Sequence, residues 1–147
     1  MPTLLAIYLR PAARQPARSV ATAEATAGVG LQGDHTKSGK RQVTLLAHEA
    51  WLEACQELGQ ELDPSVRRAN LLIDGIALGD CIGSTLKIGS IVIDVLGETK
   101  PCELLDDDGR TGLSEALRPH KRGGVYGTIR VGGQVHVGDI CSVALDE

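Results

Sequence analysis

Val125-Tyr126-Gly127-Thr128-Ile129-Arg130-Val131-Gly132-Gly133-Gln134, continued by Val137-Gly138-Asp139-Ile140-Cys141, is the stretch that decides the fold class. Successive side chains of a strand point to opposite faces, so Val125, Gly127, Ile129 and Val131 share one side while Tyr126, Thr128 and Arg130 share the other. Cys141, Val143 and Leu145 repeat the pattern. Gly132-Gly133 and Gly138-Asp139 are pairs able to take the positive φ that a two-residue hairpin turn requires. Asp74-Gly75 between Ile73 and Ile76, and Gly89-Ser90 between Ile88 and Ile91, have the same form. Four candidate hairpins predict a mainly β chain, an antiparallel barrel or sandwich. The 18 glycines among 147 residues, well above the usual ~7%, fit a fold rich in tight turns.

Outward from the strands, one stretch carries helical periodicity. Trp51, Ala54, Cys55 and Leu58 follow i, i+3, i+4, i+7 spacing, which predicts a helix over His48 to Leu58 that stops at Gly59. A shorter helical turn is predicted from Leu113 to Arg118, ended by Pro119 because the residue before proline is pushed out of the α region. Pro11 to Ala27 reads as a loop with one edge strand. No repeat or linker divides the chain, so residues 1–147 are read as one domain with one core.

Composition excludes several classes of function. Net charge is −4, from 15 basic and 19 acidic residues, and lacks the basic excess that binding a phosphate backbone needs. One Trp, two Tyr and no Phe leave no platform for stacking bases, so nucleic acid is not an expected partner. Leu4 to Leu9 is too short for a signal-peptide core, and no apolar run reaches the ~18 residues of a membrane helix. A cytoplasmic location without membrane attachment is expected. There Cys55, Cys81, Cys102 and Cys141 would stay reduced and must be judged as thiols.

Three apparent motifs fail on context. Gly28-Val29-Gly30-Leu31-Gln32-Gly33 has the dinucleotide-binding spacing but lacks a buried strand before it and an amphipathic helix after it. Asp106-Asp107-Asp108-Gly109 resembles a calcium loop, but Arg110 stands where an oxygen ligand is needed and no glutamate closes the site. No two cysteines lie within four residues of each other, as paired zinc ligands do.

Gly30-Leu31-Gln32-Gly33-Asp34-His35, Arg41-Gln42-Val43-Thr44-Leu45-Leu46, Arg67-Arg68-Ala69-Asn70-Leu71, Lys100-Pro101-Cys102 and Gly124-Val125 follow one another in the order and spacing of a known family. In these segments, and over nearly its whole length, the chain resembles the molybdenum cofactor sulfurase C-terminal domain, the MOSC domain. The resemblance implies a pyruvate-kinase-barrel-like antiparallel β-barrel with one principal helix and short helical turns, here as a stand-alone domain. It also implies a site at Cys102 that either ligates molybdenum in a pterin cofactor or carries persulfide sulfur. The implied chemistry is reduction of N-hydroxylated or similar small molecules in the first case. In the second it is sulfur transfer to metal–sulfur centres. An electron-transfer protein or a cysteine desulfurase would be the respective partner. Many relatives carry Arg directly after the Gly-Asp pair, where this chain has His35.

The residues themselves support Cys102 as the working thiol. A thiolate is the form that attacks sulfur and binds soft metals, and it needs access and nearby positive charge. Cys102 lies in a loop stiffened by Pro101 and adjoining Lys100, with Glu103 opposing. Cys55 and Cys141 fall on apolar faces and Cys81 beside a turn, as core cysteines do. Asp34 and His35 in their glycine-flanked loop are candidates for acid–base or hydrogen-bonding work, with turn chemistry the alternative for Asp34. Arg41, Arg68, Asn70 and Lys100 are candidates for holding the cofactor, since arginine suits bidentate recognition of a phosphate, and Arg67 belongs to the same motif. Arg118 to Arg122 reads as a solvated surface, and His48 and His136 are given no role. The alternative to both chemistries is a structural or regulatory barrel without chemistry at Cys102.

Overall fold

The computed structural model describes residues 1–13 and 15–144, and Leu145 lies outside the described residues. The chain is mainly β. Its strands are β1 (Leu4–Leu9), β2 (Arg18–Val20), β3 (Thr22–Thr26), β4 (Gly30–Leu31), β5 (Val43–Ala47), β6 (Leu71–Ile73), β7 (Thr85–Ile88), β8 (Ile91–Glu98), β9 (Val125–Val131), β10 (Gly133–His136) and β11 (Cys141–Ala144). Eight form a large sheet in the order β11-β7-β8-β9-β5-β6-β1-β2, and three form a small one in the order β10-β3-β4. The large sheet is not closed into a barrel, although an isolated bridge, Thr3 to Ile140, joins its β1 and β11 regions.

The helix α1 (His48–Leu58) spans the predicted residues and ends on Gly59, whose φ of 77° is left-handed and whose N–H closes the last turn on Cys55 and Gln56. The second helix, α2 (Leu113–Leu117), is the predicted short turn. Trp51, Ala54 and Cys55 pack with Leu46, Leu72, Leu113 and Leu117 between the helices and one face of β5 and β6. Leu45, Leu71 and Ile73 enter the main core on the other face. Buried on both sides, β6 is an unbroken apolar run and β5 is one interrupted only by Thr44.

Three expectations need correction. The sheet is not wholly antiparallel, because β5 and β6, linked through α1, pair in parallel. Of the four predicted hairpins only Gly89-Ser90 forms one, joining β7 to β8 with Ile88 opposite Ile91. At Gly132-Gly133 the chain leaves the large sheet for the small one, where β10 pairs with β3. Gly132 is there for close approach rather than for a turn, since a Cβ would lie 2.6 Å from the Ala25 carbonyl oxygen. After Gly138-Asp139 the chain returns to the large sheet, and Asp74-Gly75 leads out of it, with Asp74 accepting from the Thr3 N–H at 2.8 Å. A glycine-bearing pair between apolar runs therefore marks a change of direction without fixing the next strand's partner. Pro11 to Ala27 holds two strands, β2 and β3, rather than one. No helix among the described residues is long and apolar enough to cross a membrane.

Candidate functional site

Cys102 is the exposed cysteine, while Cys55, Cys81 and Cys141 are buried. The loop that carries it follows β8 and is pinned at its root: the Thr99 N–H donates to the Gly124 carbonyl at 2.9 Å, and the Thr99 hydroxyl to the Gly123 carbonyl at 2.9 Å. Pro101 is buried, and Cys102 caps a 3-10 turn over Glu103–Asp106, its Sγ accepting from the Leu104 N–H at 3.3 Å. Arg67 ties two loops together beside it, donating from Nε to the Gly123 carbonyl at 2.8 Å and from Nη2 to the Thr99 carbonyl at 2.9 Å. Gly123 has to be glycine for this, because a Cβ there would lie 2.7 Å from the Thr99 oxygen.

The sulfur opens on a cavity of about 360 Å³ ringed by Arg10, Arg41, Arg67, Arg68, Lys100 and Arg110, with Thr44 and Thr99 in its wall. Arg10 is paired with Asp34 at 3.0 Å, and Arg110 reaches Asp108 only at 3.8 Å. Among the described residues no carboxylate lies within ion-pair distance of Arg41, Arg67, Arg68 or Lys100. Arg41 sits over the Tyr126 ring, 4.9 Å from its centroid, and Arg68 donates to the Ala12 and Gln15 carbonyls. Burial pushes the Arg67 guanidinium down to about 10, with the Arg41 and Arg10 charges adding to the effect and a Cys102 thiolate opposing it. Burial likewise lowers Arg68, as does the Arg10 charge. Clustered cations of this kind make a site for an anion.

Behind the cavity wall stands a buried polar network. Asp34 accepts from the Arg10 N–H at 2.8 Å, Arg10 Nε at 3.1 Å and Nη2 at 3.0 Å, Asn70 Nδ2 at 3.1 Å, and the Thr36 N–H at 3.2 Å. Burial alone would raise the Asp34 carboxyl, but the hydrogen bonds and charge of Arg10, with the Thr36 N–H, hold it below the ordinary carboxylate range. Asn70 Oδ1 accepts from the Thr44 N–H and hydroxyl and from Arg10 Nη2, and Nδ2 also donates to the Tyr8 carbonyl. His35 is exposed, with Nδ1 3.0 Å from the Arg10 carbonyl, which can only accept. Of the predicted site residues, Cys102, Arg41, Arg68 and Lys100 line the cavity; Asp34, His35 and Asn70 do not, and their link to it is by hydrogen bonds to Arg10 and Thr44.

Arg10, Thr44 and Arg110 were not singled out by the sequence as site residues. Arg10 gave one faint signal, a charged residue closing the apolar run Leu4 to Leu9 ahead of Pro11. The two charged neighbours of the thiol are sorted by the fold: Lys100 faces the basic cavity, and Glu103 a shallower hollow on the other side of Cys102.

Limited alkylation near neutral pH should label Cys102 first, by an order of magnitude or more over the buried thiols. Burial and the nearby Asp80 push the Cys81 thiol up, and burial with Asp74 and Asp139 pushes Cys141 up to about 12. Peptide mapping after a short iodoacetamide pulse is the measurement, and earlier labelling of Cys55 or Cys141 would contradict the packing described above.

Fold and site together describe a β domain built around one accessible thiol in a strongly cationic cavity. The sequence profile described as the MOSC domain matches residues 32–142, and the chain belongs to that family. The YuaD protein from Bacillus subtilis superposes with a TM-score of 0.80 at 18% identity, covering 100% of this chain and 98% of that one. YiiM from Geobacillus stearothermophilus gives 0.78 at 15% identity (98% of this chain, 75% of that one), and YiiM from Escherichia coli 0.73 at 17% (99% and 71%). At these identities the likeness is one of fold. A search of curated proteins finds no match.

Proposed function

We propose that the cavity at Cys102 holds a molybdenum–pterin cofactor, with the sulfur toward the metal and the surrounding cations on the pterin's phosphate. The observation that supports this is the excess of positive charge around one accessible thiol, which is more than the thiol needs and suits a large anionic ligand. The donor set also fits. Among the described residues there is no group of three or more His, Cys, Asp or Glu able to cage a metal ion, so a metal held by Cys102 has to bring its other ligands with it. Arg41, Arg67, Arg68 and Lys100 would bind the phosphate. Asp34 and Asn70 would fix Arg10 and the wall behind them, and His35 would brace the Arg10 carbonyl. When bound, the cofactor supplies two-electron redox chemistry, for which reduction of N-hydroxylated small molecules is the reaction class and an electron-transfer protein the donor. We read the Thr3–Ile140 bridge as the seam of a barrel-like closure of the large sheet.

A second reading, persulfide carriage by Cys102, is favoured by the shallower hollow that Cys102 shares with Glu103, Leu104 and Ser114, an open face on which a cysteine desulfurase could dock. The two separate by measurement. Protein made in cells that synthesise the cofactor is analysed for metal and, without reductant, for intact mass. Near-stoichiometric molybdenum with a pterin supports the first reading and a Cys102 peptide heavier by sulfur supports the second. Protein carrying neither, even after incubation with cofactor or desulfurase, supports a structural or regulatory barrel.

A further inference from the structure

We infer that Cys102 takes sulfur directly from a small sulfane-sulfur oxyanion of the thiosulfate class, which gives the chain a sulfurtransferase activity that needs no protein donor. The inference deepens the persulfide reading and rests on it. The sulfur lines two hollows, and their linings sort the donors. The cavity of about 360 Å³ has six cations and no carboxylate in its lining. The shallower hollow has Glu103, Asp106, Asp107 and Glu115 and no cation. A small dianion is therefore drawn to the thiol from the first side and turned away on the second.

The six cations are not equally available. Arg10 is committed to Asp34, Arg68 to the Ala12 and Gln15 carbonyls, and Arg110 donates from Nε to the Leu105 carbonyl at 3.0 Å. Arg67 spends Nε and Nη2 on the Gly123 and Thr99 carbonyls, which leaves Nη1 without a partner among the described residues. That nitrogen is not sealed in, because Arg122 Nε is the one buried side-chain nitrogen or oxygen among them that has no partner. Arg67 thus offers the cavity an accessible donor on a head already fixed by two backbone carbonyls. It also stands near enough to the sulfur for a Cys102 thiolate to raise it against its burial. Arg41 and Lys100 are exposed on the same lining, with no carboxylate partner among the described residues.

Charge and chemistry together select the donor. A desulfurase presenting its own persulfide needs a face to dock on and at most one cation to hold the thiolate, so on the persulfide reading the remaining cations call for a donor that is itself an anion. A thiolate attacking thiosulfate brings two like charges together, and clustered guanidinium and ammonium groups offset that repulsion. The Cys102 thiolate supplies the electron pair for a new bond from Sγ to the sulfane sulfur. The sulfur–sulfur bond of thiosulfate breaks, and its electron pair leaves with sulfite. One sulfur atom moves, no proton is transferred, and no outside oxidant or reductant is consumed. Arg67 Nη1, Arg41 and Lys100 would receive the oxygens of the leaving sulfite, which gain charge as the bond breaks. The cations set how fast sulfur arrives, and the bond to Sγ then keeps it.

The test uses the full chain, reduced and free of molybdenum by elemental analysis, mixed with thiosulfate and with cyanide as sulfur acceptor. Thiocyanate should form with ping-pong kinetics. Thiosulfate alone should add one sulfur atom to the Cys102 peptide and release one sulfite per chain, and Cys102→Ser should abolish both. Sulfate, a dianion without sulfane sulfur, should compete with thiosulfate, and kcat/KM should fall severalfold as salt is raised. Arg67→Ala should lower kcat/KM by roughly 10- to 100-fold, the worth of one charge-assisted hydrogen bond. Because that variant also loosens the Cys102 loop, Arg41→Ala combined with Lys100→Ala, both at exposed positions, gives a second measure, with a severalfold loss expected. Lys87→Ala, an exposed lysine of β7 outside the cavity, should change nothing. An unaltered Cys102 mass after thiosulfate, or turnover indifferent both to salt and to the Arg41 and Lys100 substitutions, would overturn the inference. If a desulfurase loads Cys102 where thiosulfate does not, the inference falls and the persulfide reading stands; if neither loads it, both fall.

Discussion

Asp34→Ala is expected to destabilise the fold by about 3–5 kcal/mol, the usual cost of removing one partner from a buried ion pair. The side chains of Arg10 and Asp34 are 12% and 0% exposed, so the guanidinium left behind cannot simply be hydrated where it stands. The loss extends past the pair, because Asp34 also accepts from Asn70 Nδ2 and the Thr36 N–H, and Asn70 in turn joins the Tyr8 carbonyl to Thr44. Strands β1, β5 and β6 are stitched together by these bonds. The carboxyl is held below its ordinary value of 3.8 in the folded chain. Its contribution is therefore fully present above that value and is lost as pH falls through the lower folded value. Urea unfolding of the wild type and Asp34→Ala should show the full difference near neutral pH and a shrinking one in acid. A difference that stayed constant into acid would mean that Asp34 matters for packing rather than for charge.

This network shows what the sequence could and could not reveal. The helix α1 was legible to the residue, because its apolar spacing and its Gly59 stop are local signals. The exposure of Cys102 followed from its proline-stiffened loop, and the burial of Cys55 and Cys141 from their places on apolar faces. Arg10 was missed because its partner Asp34 lies 24 residues away and is brought to it by the end of β1. The parallel pairing of β5 with β6 was missed for the same reason: alternation tells which side chains share a face, but not which strand lies alongside. Arg118 to Arg122 was read as uniformly solvated, which holds for four of its five residues. The left-handed backbone at His120 and Lys121 turns the fifth, Arg122, inward, and a charge run gives no sign of such a reversal.

Arg67→Ala is expected to lower cofactor retention by about 10- to 100-fold, more than the loss of any one exposed cation, because Arg67 has two tasks. It brings one positive charge to the cavity, and it holds the Gly123 and Thr99 carbonyls at a fixed spacing, which sets the root of the Cys102 loop. Arg67→Lys tells the tasks apart. A lysine keeps the charge but cannot span both carbonyls from one planar head, so it should restore part of the retention and little of the loop order. Arg41→Ala removes only an exposed cation resting on Tyr126 and should cost less. Cys102→Ser should remove bound metal or carried sulfur altogether, since both readings depend on the one thiol. The arginine variants then divide the readings, because a phosphate needs the cations and a persulfide bond does not. Molybdenum-to-protein ratio and sulfur loading, measured in parallel on the four variants, give the answer. Full metal retention in Arg67→Ala would place the phosphate elsewhere, and loss of sulfur loading in Arg41→Ala would mean that the cations serve the thiolate itself.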